Sequence, residues 1–372
     1  MPRTLHVLAQ RPGRTGSGVT LDAIVRETER LGAWEQHVVC GVPVGDEPSV
    51  GGLHPGNIHP LRFGPGGDLP FHVPGMSDVM PYESTVWSSM SQEWIDAYVD
   101  GWRRHLERVI VRVQPDVIHV HHIWLLASIL KDVAPGVPVV GHCHATGLRQ
   151  MELTPHLAER VRAGNRRHEW FAVLHREHQE RLAAALDVPM ERIHVVGAGF
   201  REAAFPGPSP ARRVPGRVVY VGKLSASKGV DALLDAVEAV AAEGRHVELH
   251  MAGGGSGAEA DALRARCASM GALVHHHGFV DELELSALMG SADVFVLPSY
   301  YEGLPLVLVE AAACGAQLIS TALPGVVEVL APALGDRLQL VPLPEMASVD
   351  VPTAKGAHQT SRYLTFRVGP RS

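Results

Sequence analysis

Cysteine is scarce in this chain. Only four occur in 372 residues (Cys40, Cys143, Cys267 and Cys314), far apart and never in a C-x-x-C spacing. No disulfide framework is implied, and the pattern fits reduced, mostly buried thiols in a cytoplasmic protein. Surplus positive charge is also missing. With a formal net charge of -7 there is no excess of basic residues to neutralise a phosphate backbone, which excludes nucleic acid as a partner and argues against attraction to a membrane surface. No apolar run reaches membrane-spanning length, so no integral membrane segment is expected. The start, Met1 to Leu8, has a short apolar stretch interrupted by His6 and reads as a first strand rather than a signal peptide.

What is present suffices for two ordinary domains, since 46% of the residues are hydrophobic and the length is about twice that of a typical domain. The first half alternates strand and helix patterns: Leu5 to Leu8, a helix from Thr20 to Leu31, Val38 to Cys40, a long helix from about Ser91 to Val113, then Val117 to Val120 and Pro138 to Cys143. Residues 41–82 break this pattern with many Gly and Pro, and their Phe63, Phe71 and Tyr82 predict a structured acceptor-side loop rather than disorder. Between Ala203 and Gly216, four prolines (Pro206, Pro208, Pro210, Pro215) read as a linker. Alternation then restarts with Val218 to Val221, a helix from Val230 to Glu243, Val247 to Met251, a helix from Ala258 to Met270, Leu273 to His276 and Val294 to Leu297. The expected class is α/β, with two doubly wound parallel-sheet domains: residues 1–205, a linker at 206–216, and 217–340, followed by an atypical tail at 341–372. Ligands belong at the carboxyl ends of the strands.

The chemistry gathers on residues 300–310. A loop carrying Glu302 and Gly303 leads to Pro305, read as the first residue of a helix ending near Cys314. The helix's free N–H groups and positive dipole end suit a phosphate. Glu302, seven intervening residues and Glu310, with Gly303 and Ala311, resemble the signature of the retaining family 4 glycosyltransferases. That resemblance extends over most of the chain. Gly222 to Gly229 looks like the family's diphosphate-binding loop, with cations at Lys223 and Lys228; Lys223 stands where the family usually has arginine, keeping charge but losing the planar fork. Gly253 to Gly257 is similar to its glycine turn. His277 to Asp281, through Phe279 and Val280, resembles the segment whose backbone meets the donor base. In the first half, Gly16 and Gly18 look like its glycine loop, and His144 falls where it carries an active-site histidine.

The resemblance implies a GT-B fold, two Rossmann-like domains facing across a cleft, and transfer of a sugar from a nucleoside diphosphate sugar to a soluble small-molecule or glycan acceptor, without cofactor or metal. Breaking the sugar–diphosphate bond develops positive charge at the anomeric carbon and negative charge on the leaving phosphate, which lysines and helix N–H groups placed beforehand stabilise. In this scheme Lys223, Lys228, Gly303 and Leu304 meet phosphate, Glu310 holds ribose, Glu302 holds the donor sugar, and His144 acts in turnover. Two alternatives stand beside it. One is a sugar-nucleotide-binding protein without transfer activity. The other is an NAD(P)-dependent oxidoreductase, for which Gly253, Gly255 and Ala258 satisfy G-x-G-x-x-A. The 22 histidines include His119, His121, His122, His142, His144 and His275 to His277; alternation along a strand lets only subsets converge on a metal. Arg103, Arg104, Arg108 and Arg112 form a helix face read as solvated. Family members usually finish with a long helix, whereas Val341 to Ser372 opens with prolines and shows no sustained helical period.

Overall fold

A computed structural model describes residues 1–367 except 14, 79, 206 and 209–212, and for 366 and 367 the backbone alone. Two compact units divide between Ala198 and Gly199. The first contains strands β1 (Arg3–Leu8), β2 (Glu35–Pro43), β3 (Ile58–Phe63), β4 (Val117–His121), β5 (Val139–Cys143), β6 (Trp170–Val173) and β7 (Ile193–Val195). The second contains β8 (Arg217–Val221), β9 (Glu248–Ala252), β10 (Val274–Gly278), β11 (Val294–Leu297), β12 (Gln317–Thr321) and β13 (Leu338–Val341). The sheet orders are β3-β2-β1-β4-β5-β6-β7 and β10-β9-β8-β11-β12-β13, and every pairing is parallel. Helices between strands cover both faces, so the central strands bury consecutive residues rather than alternate ones: Leu5 to Leu8 in β1, and Val218 to Tyr220 in β8. Strand order reverses between β1 and β4 and again between β8 and β11, which opens a crevice at the carboxyl ends of those strands.

Several local expectations change. Residues 41–82 are not one long loop: β3 pairs along β2, and Phe63, Phe71, Val73, Met76 and Tyr82 join the main core of the first unit. The strand hides in the sequence because Pro60 interrupts it, and proline is tolerated here because β3 is an edge strand. The first helix is Gly16–Leu31, starting four residues earlier than its apolar pattern, with Thr15 as N-cap and its hydroxyl accepting the Gly18 N–H at 3.2 Å. Gly16 and Gly18 therefore form its first turn rather than a loop before it. The long helix Gln92–Val113 is capped by Ser91 and buries Ile95, Tyr98, Val99, Trp102, Leu106 and Val109 on one side. On its other side Arg104, Arg108 and Arg112 are exposed, while Arg103 lies 3.6 Å from Asp132.

The break between units precedes the proline-rich stretch. Glu202–Ala204 already packs on the helix Glu282–Ser291, and Phe205 is buried; Pro206 and Pro210 lie outside the described residues. The tail also differs from expectation. Ala354–Arg367 is a helix packed on Val230–Ala242 of the second unit, its start bridged by Gly356 N–H to Thr353 Oγ1 at 3.0 Å. Its buried face is Gly356, Thr360, Ser361 and Leu364. Small and hydroxyl residues fill most of that helical stripe, which is why hydrophobic periodicity does not reveal it. Residues 368–372 of the tail lie outside the described residues.

One backbone position tests how tightly the second sheet's rim is built. Gly253, at φ 115, follows β9 so closely that a Cβ would collide with the carbonyl oxygen of Gly222. Gly253→Ala is expected to lose about 2–4 kcal/mol of stability in a denaturant titration, combining left-handed strain with the clash. A loss below about 0.5 kcal/mol would show that this turn relaxes freely.

Candidate functional site

At the carboxyl rim of the second sheet, hydrogen bonds link the ends of neighbouring strands in series. Gly253 N–H donates to the Gly278 carbonyl at 2.7 Å, Gly222 N–H to Ala252 at 3.0 Å, and Leu224 N–H to Gly254 at 3.2 Å. Tyr300 N–H then donates to the Ser227 carbonyl at 2.9 Å, binding the loop after β8 to the loop after β11. Tyr220 is fully buried, and its hydroxyl donates to the Lys223 carbonyl at 2.7 Å, which fixes the backbone that carries Lys223. Gly229, at φ 67, presses on the Pro298 carbonyl, leaving no room for a Cβ.

This closure brings two of the sequence-designated residues together. Lys228 Nζ lies 2.6 Å from Glu302 Oε1 and 3.5 Å from the Tyr301 carbonyl, both side chains about one-fifth exposed. A lysine carries three donors and Glu302 takes one, so capacity for an anion remains. The next helix is Leu306–Ala313, and Pro305 precedes it as N-cap with an extended ψ of 99°. Pro305 is thus one position earlier than predicted: its carbonyl receives the Leu308 N–H at 3.1 Å, so it starts the hydrogen-bond ladder from outside. Gly303 and Leu304 occupy the turn before it. Glu310, one turn into the helix, is half-buried, and desolvation pushes its carboxyl up to about 7, with Arg201 opposing the rise. Arg201, which also pairs with Glu282, is a neighbour that spacing alone did not point to.

Phe279 and Val280 follow β10, and the exposed Phe279 ring covers Gly254, where a Cβ would come within 3.1 Å of it. The helix Ala258–Ser269 that begins after the glycine turn has Glu259 and Asp261 in its first turn, and the Glu259 carboxylate accepts the Ala226 N–H. Acidic groups at that N-terminus repel a pyrophosphate, which weakens the dinucleotide alternative for Gly253, Gly255 and Ala258.

The first unit builds its own rim site. Of four non-glycine residues with positive φ among the described residues, Gln114 and Asp187 end helices, but His122 (φ 75) and Ala145 (φ 71) stand just beyond β4 and β5. Strain of this kind persists only where the surroundings enforce it. They do so through His122, whose Nε2 lies 2.9 Å from Ser17 Oγ and 3.1 Å from Gln10 Oε1, and whose Nδ1 lies 2.9 Å from Thr146 Oγ1. The first turn of Gly16–Leu31 is thereby held against the ends of β4 and β5. Gly18 fits because a Cβ would come 2.7 Å from the Gly13 nitrogen, whereas Gly16 faces open space. His144, beyond β5, sits 3.0 Å by Nε2 from His121 Nδ1 and stacks on His142 at 4.2 Å between centroids. Burial, then the neighbouring imidazoles, hold it well below the usual histidine range, so it is neutral at pH 7. Gln10, Ser17 and Thr146 were not singled out by sequence; the only hint was the histidine run ending at His122.

Residues 15–199 match the family described as glycosyl transferase 4-like domain, and residues 215–345 match glycosyl transferases group 1. The chain belongs to glycosyltransferase family 4, of the GT-B type. The glycogen synthase of Mycobacterium tuberculosis is 32% identical over 233 residues, covering 58% of this chain and 54% of its own length. The chain thus spans about half the length of that curated relative. Among solved structures, sucrose-phosphate synthase from Thermosynechococcus elongatus superposes with a TM-score of 0.68 at 16% identity, over 99% of this chain and 95% of that one. The Anabaena protein HepE in complex with UDP-glucose gives 0.63 at 16% identity, over 98% and 89%. At such identities these two likenesses speak to fold alone.

The raised carboxyl of Glu310 has a consequence for stability. A carboxyl whose folded value exceeds its unfolded one costs nothing below about pH 4.5, and its cost grows until pH passes the folded value near 7. Glu310→Gln is expected to match the parent at pH 4.5 and to be more stable at pH 8, by up to about 3 kcal/mol. Thermal melts at the two pH values check this; an equal difference at both would place the effect in packing rather than in charge.

Proposed function

We propose that this family 4 member is a retaining, nucleotide-sugar-dependent glycosyltransferase that acts in the cytoplasm on a soluble small-molecule or glycan acceptor. The observation that carries the donor assignment is the joining of the β8 and β11 loops, which sets Lys228 against Glu302 at the start of the helix bearing Glu310. A nucleoside diphosphate sugar fits such a rim. Its diphosphate meets Lys228, Lys223 and the N–H groups of Gly303 and Leu304, and its ribose hydroxyls donate to Glu310. The base lies along the backbone at Phe279 and Val280. That the solved relative from Anabaena was captured with UDP-glucose supports a donor of this class.

As the sugar–phosphate bond lengthens, charge builds on the leaving diphosphate, and Lys228 with the helix N-terminus stabilises it without a metal ion. Glu302, relieved of part of its pairing as Lys228 turns to phosphate, accepts hydroxyls of the donor sugar. The acceptor attacks from the leaving group's side, and the departing phosphate oxygen takes its proton, which retains the anomeric configuration. His144, neutral and fixed by His121, serves as a hydrogen-bonding group toward the sugar. Gly16 and Gly18 allow backbone to approach.

Calorimetry with a nucleoside diphosphate sugar tests the donor half of this assignment. Lys228→Ala is expected to weaken binding about 10- to 100-fold, the scale of a charged hydrogen bond; unchanged affinity removes the phosphate site from this loop. Turnover of a labelled donor tests the other half. His144→Ala should lower kcat/KM by about 10²- to 10⁴-fold while donor affinity stays close to the parent's. Full activity in that variant returns His144 to a structural role, and a product of inverted configuration by NMR rules out the retaining mechanism. Tight donor binding with no transfer to any acceptor would favour the binding-protein alternative.

A further inference from the structure

We propose that His6, His119 and His121 form a binding site for one divalent transition-metal ion of the zinc class, separate from the donor site. His6 on β1 pairs in register with His119 on β4, and His121 two residues on pairs with His142 on β5. The period of two along a strand puts all four on one face of the sheet. His6, His121 and His142 are almost wholly buried. The side-chain hydrogen-bond partners of His119 and His121 are other imidazoles, and a ligand set of imidazole nitrogens suits a zinc-class ion rather than magnesium or calcium, which take oxygen ligands.

The hydrogen bonds fix which ring nitrogens carry lone pairs. Gln36 donates its amide to the Val25 carbonyl and to Glu29 Oε1, so its Oε1 faces His6 Nε2 at 3.2 Å. His6 must then donate from Nε2, which leaves its Nδ1 lone pair toward His119 Nδ1, 3.3 Å away. Two nitrogens on a tetrahedral zinc with bonds of about 2.0–2.1 Å stand about 3.3 Å apart. The third ligand nitrogen comes from His121: one nitrogen from each of the three rings lies within 4.8 Å of the others. His121 Nδ1 is engaged with His144. Its Nε2 is buried with no hydrogen-bond partner among the described residues, and a lone pair there costs about 1–3 kcal/mol unless something takes it up. A neutral imidazole nitrogen is a ligand for zinc, copper or nickel.

Protons balance without leaving the layer. His119 Nε2 lies 3.3 Å from His142 Nδ1. When His119 gives its Nδ1 lone pair to the ion, it takes a proton at Nε2 from His142 Nδ1, and the proton released from its own Nδ1 ends on His142 Nε2. Each ring stays neutral. A second imidazole trio, His121, His142 and His144, shares His121 with the first, but His144 belongs to the proposed sugar site. The first trio avoids that conflict and crosslinks β1 to β4 at the point where strand order reverses.

The test uses chelator-treated full-length protein titrated with Co²⁺ and Zn²⁺, with bound metal measured by elemental analysis and Co²⁺ geometry by visible absorption. The expected result is one equivalent per chain with a four-coordinate Co²⁺ spectrum, and a melting temperature raised by Zn²⁺. Affinity should fall at least 100-fold in His6→Gln and His119→Gln. It should not change in His275→Gln, which removes the separate group Glu248, His250 and His275 of the second unit, whose ligand atoms also lie within 4.8 Å of one another. Absence of uptake, equal uptake by His6→Gln, or loss of uptake in His275→Gln instead would each overturn the proposal. If the His6 and His119 variants do not fold, X-ray absorption on the zinc-loaded parent decides: three imidazole nitrogens support the site, and a carboxylate ligand sinks it.

Discussion

Everything proposed for the second unit depends on how closely its strand-end loops approach one another. A phosphate or a sugar is only a few ångströms across, so the groups that hold it must come from loops nearly in backbone contact. Gly229 against the Pro298 carbonyl and Gly253 against the Gly222 carbonyl provide that closeness, because a side chain at either place would push two strand ends apart. The bond from Tyr300 N–H to the Ser227 carbonyl then converts proximity into register, and the Lys228–Glu302 pair follows from it. Chemistry at this rim is a consequence of backbone packing before it is one of charge.

The electrostatics of the two units are arranged differently. In the second, opposite charges are held half-buried in contact, and one carboxyl, Glu310, is raised by desolvation to about 7, so that it is about half protonated at pH 7. Such a group is poised to change state when a ligand arrives. At the rim of the first unit, burial keeps His6, His119, His121, His142 and His144 uncharged. A row of imidazoles shares protons ring to ring, with His122 on strained backbone as its link to Ser17 and Thr146. One rim is suited to meeting an anion and the other to orienting hydroxyl groups.

Much of this was legible in the sequence, for identifiable reasons. The parallel α/β architecture shows in the alternation of buried strands and amphipathic helices, and the loop at Gly222–Gly229 with Glu302 and Glu310 was singled out by resemblance to the family signature. Three features were hidden. β3 was masked by Pro60, whose cost disappears at a sheet edge. The helix Ala354–Arg367 was masked because glycine, threonine and serine make up most of its buried face. Pro305 was placed one residue too far into the helix, since its φ suits both an N-cap and a first turn and only ψ separates them. The contacts of His122 and of Arg201 were out of reach for a different reason: each joins residues far apart in the chain, Ser17 with His122 and Arg201 with Glu282, and no local pattern encodes such a meeting.

The helix Ala354–Arg367 ties the order of synthesis to the site. That helix, with Thr360 buried on it, packs on Val230–Ala242, the helix that follows the β8 loop, and the backbone N–H of Tyr300 fastens the β11 loop to that same loop. Tyr300 leaves the ribosome more than fifty residues before that helix does. Until those residues emerge, the helix behind the β8 loop lacks the packing partner that covers it in the finished fold.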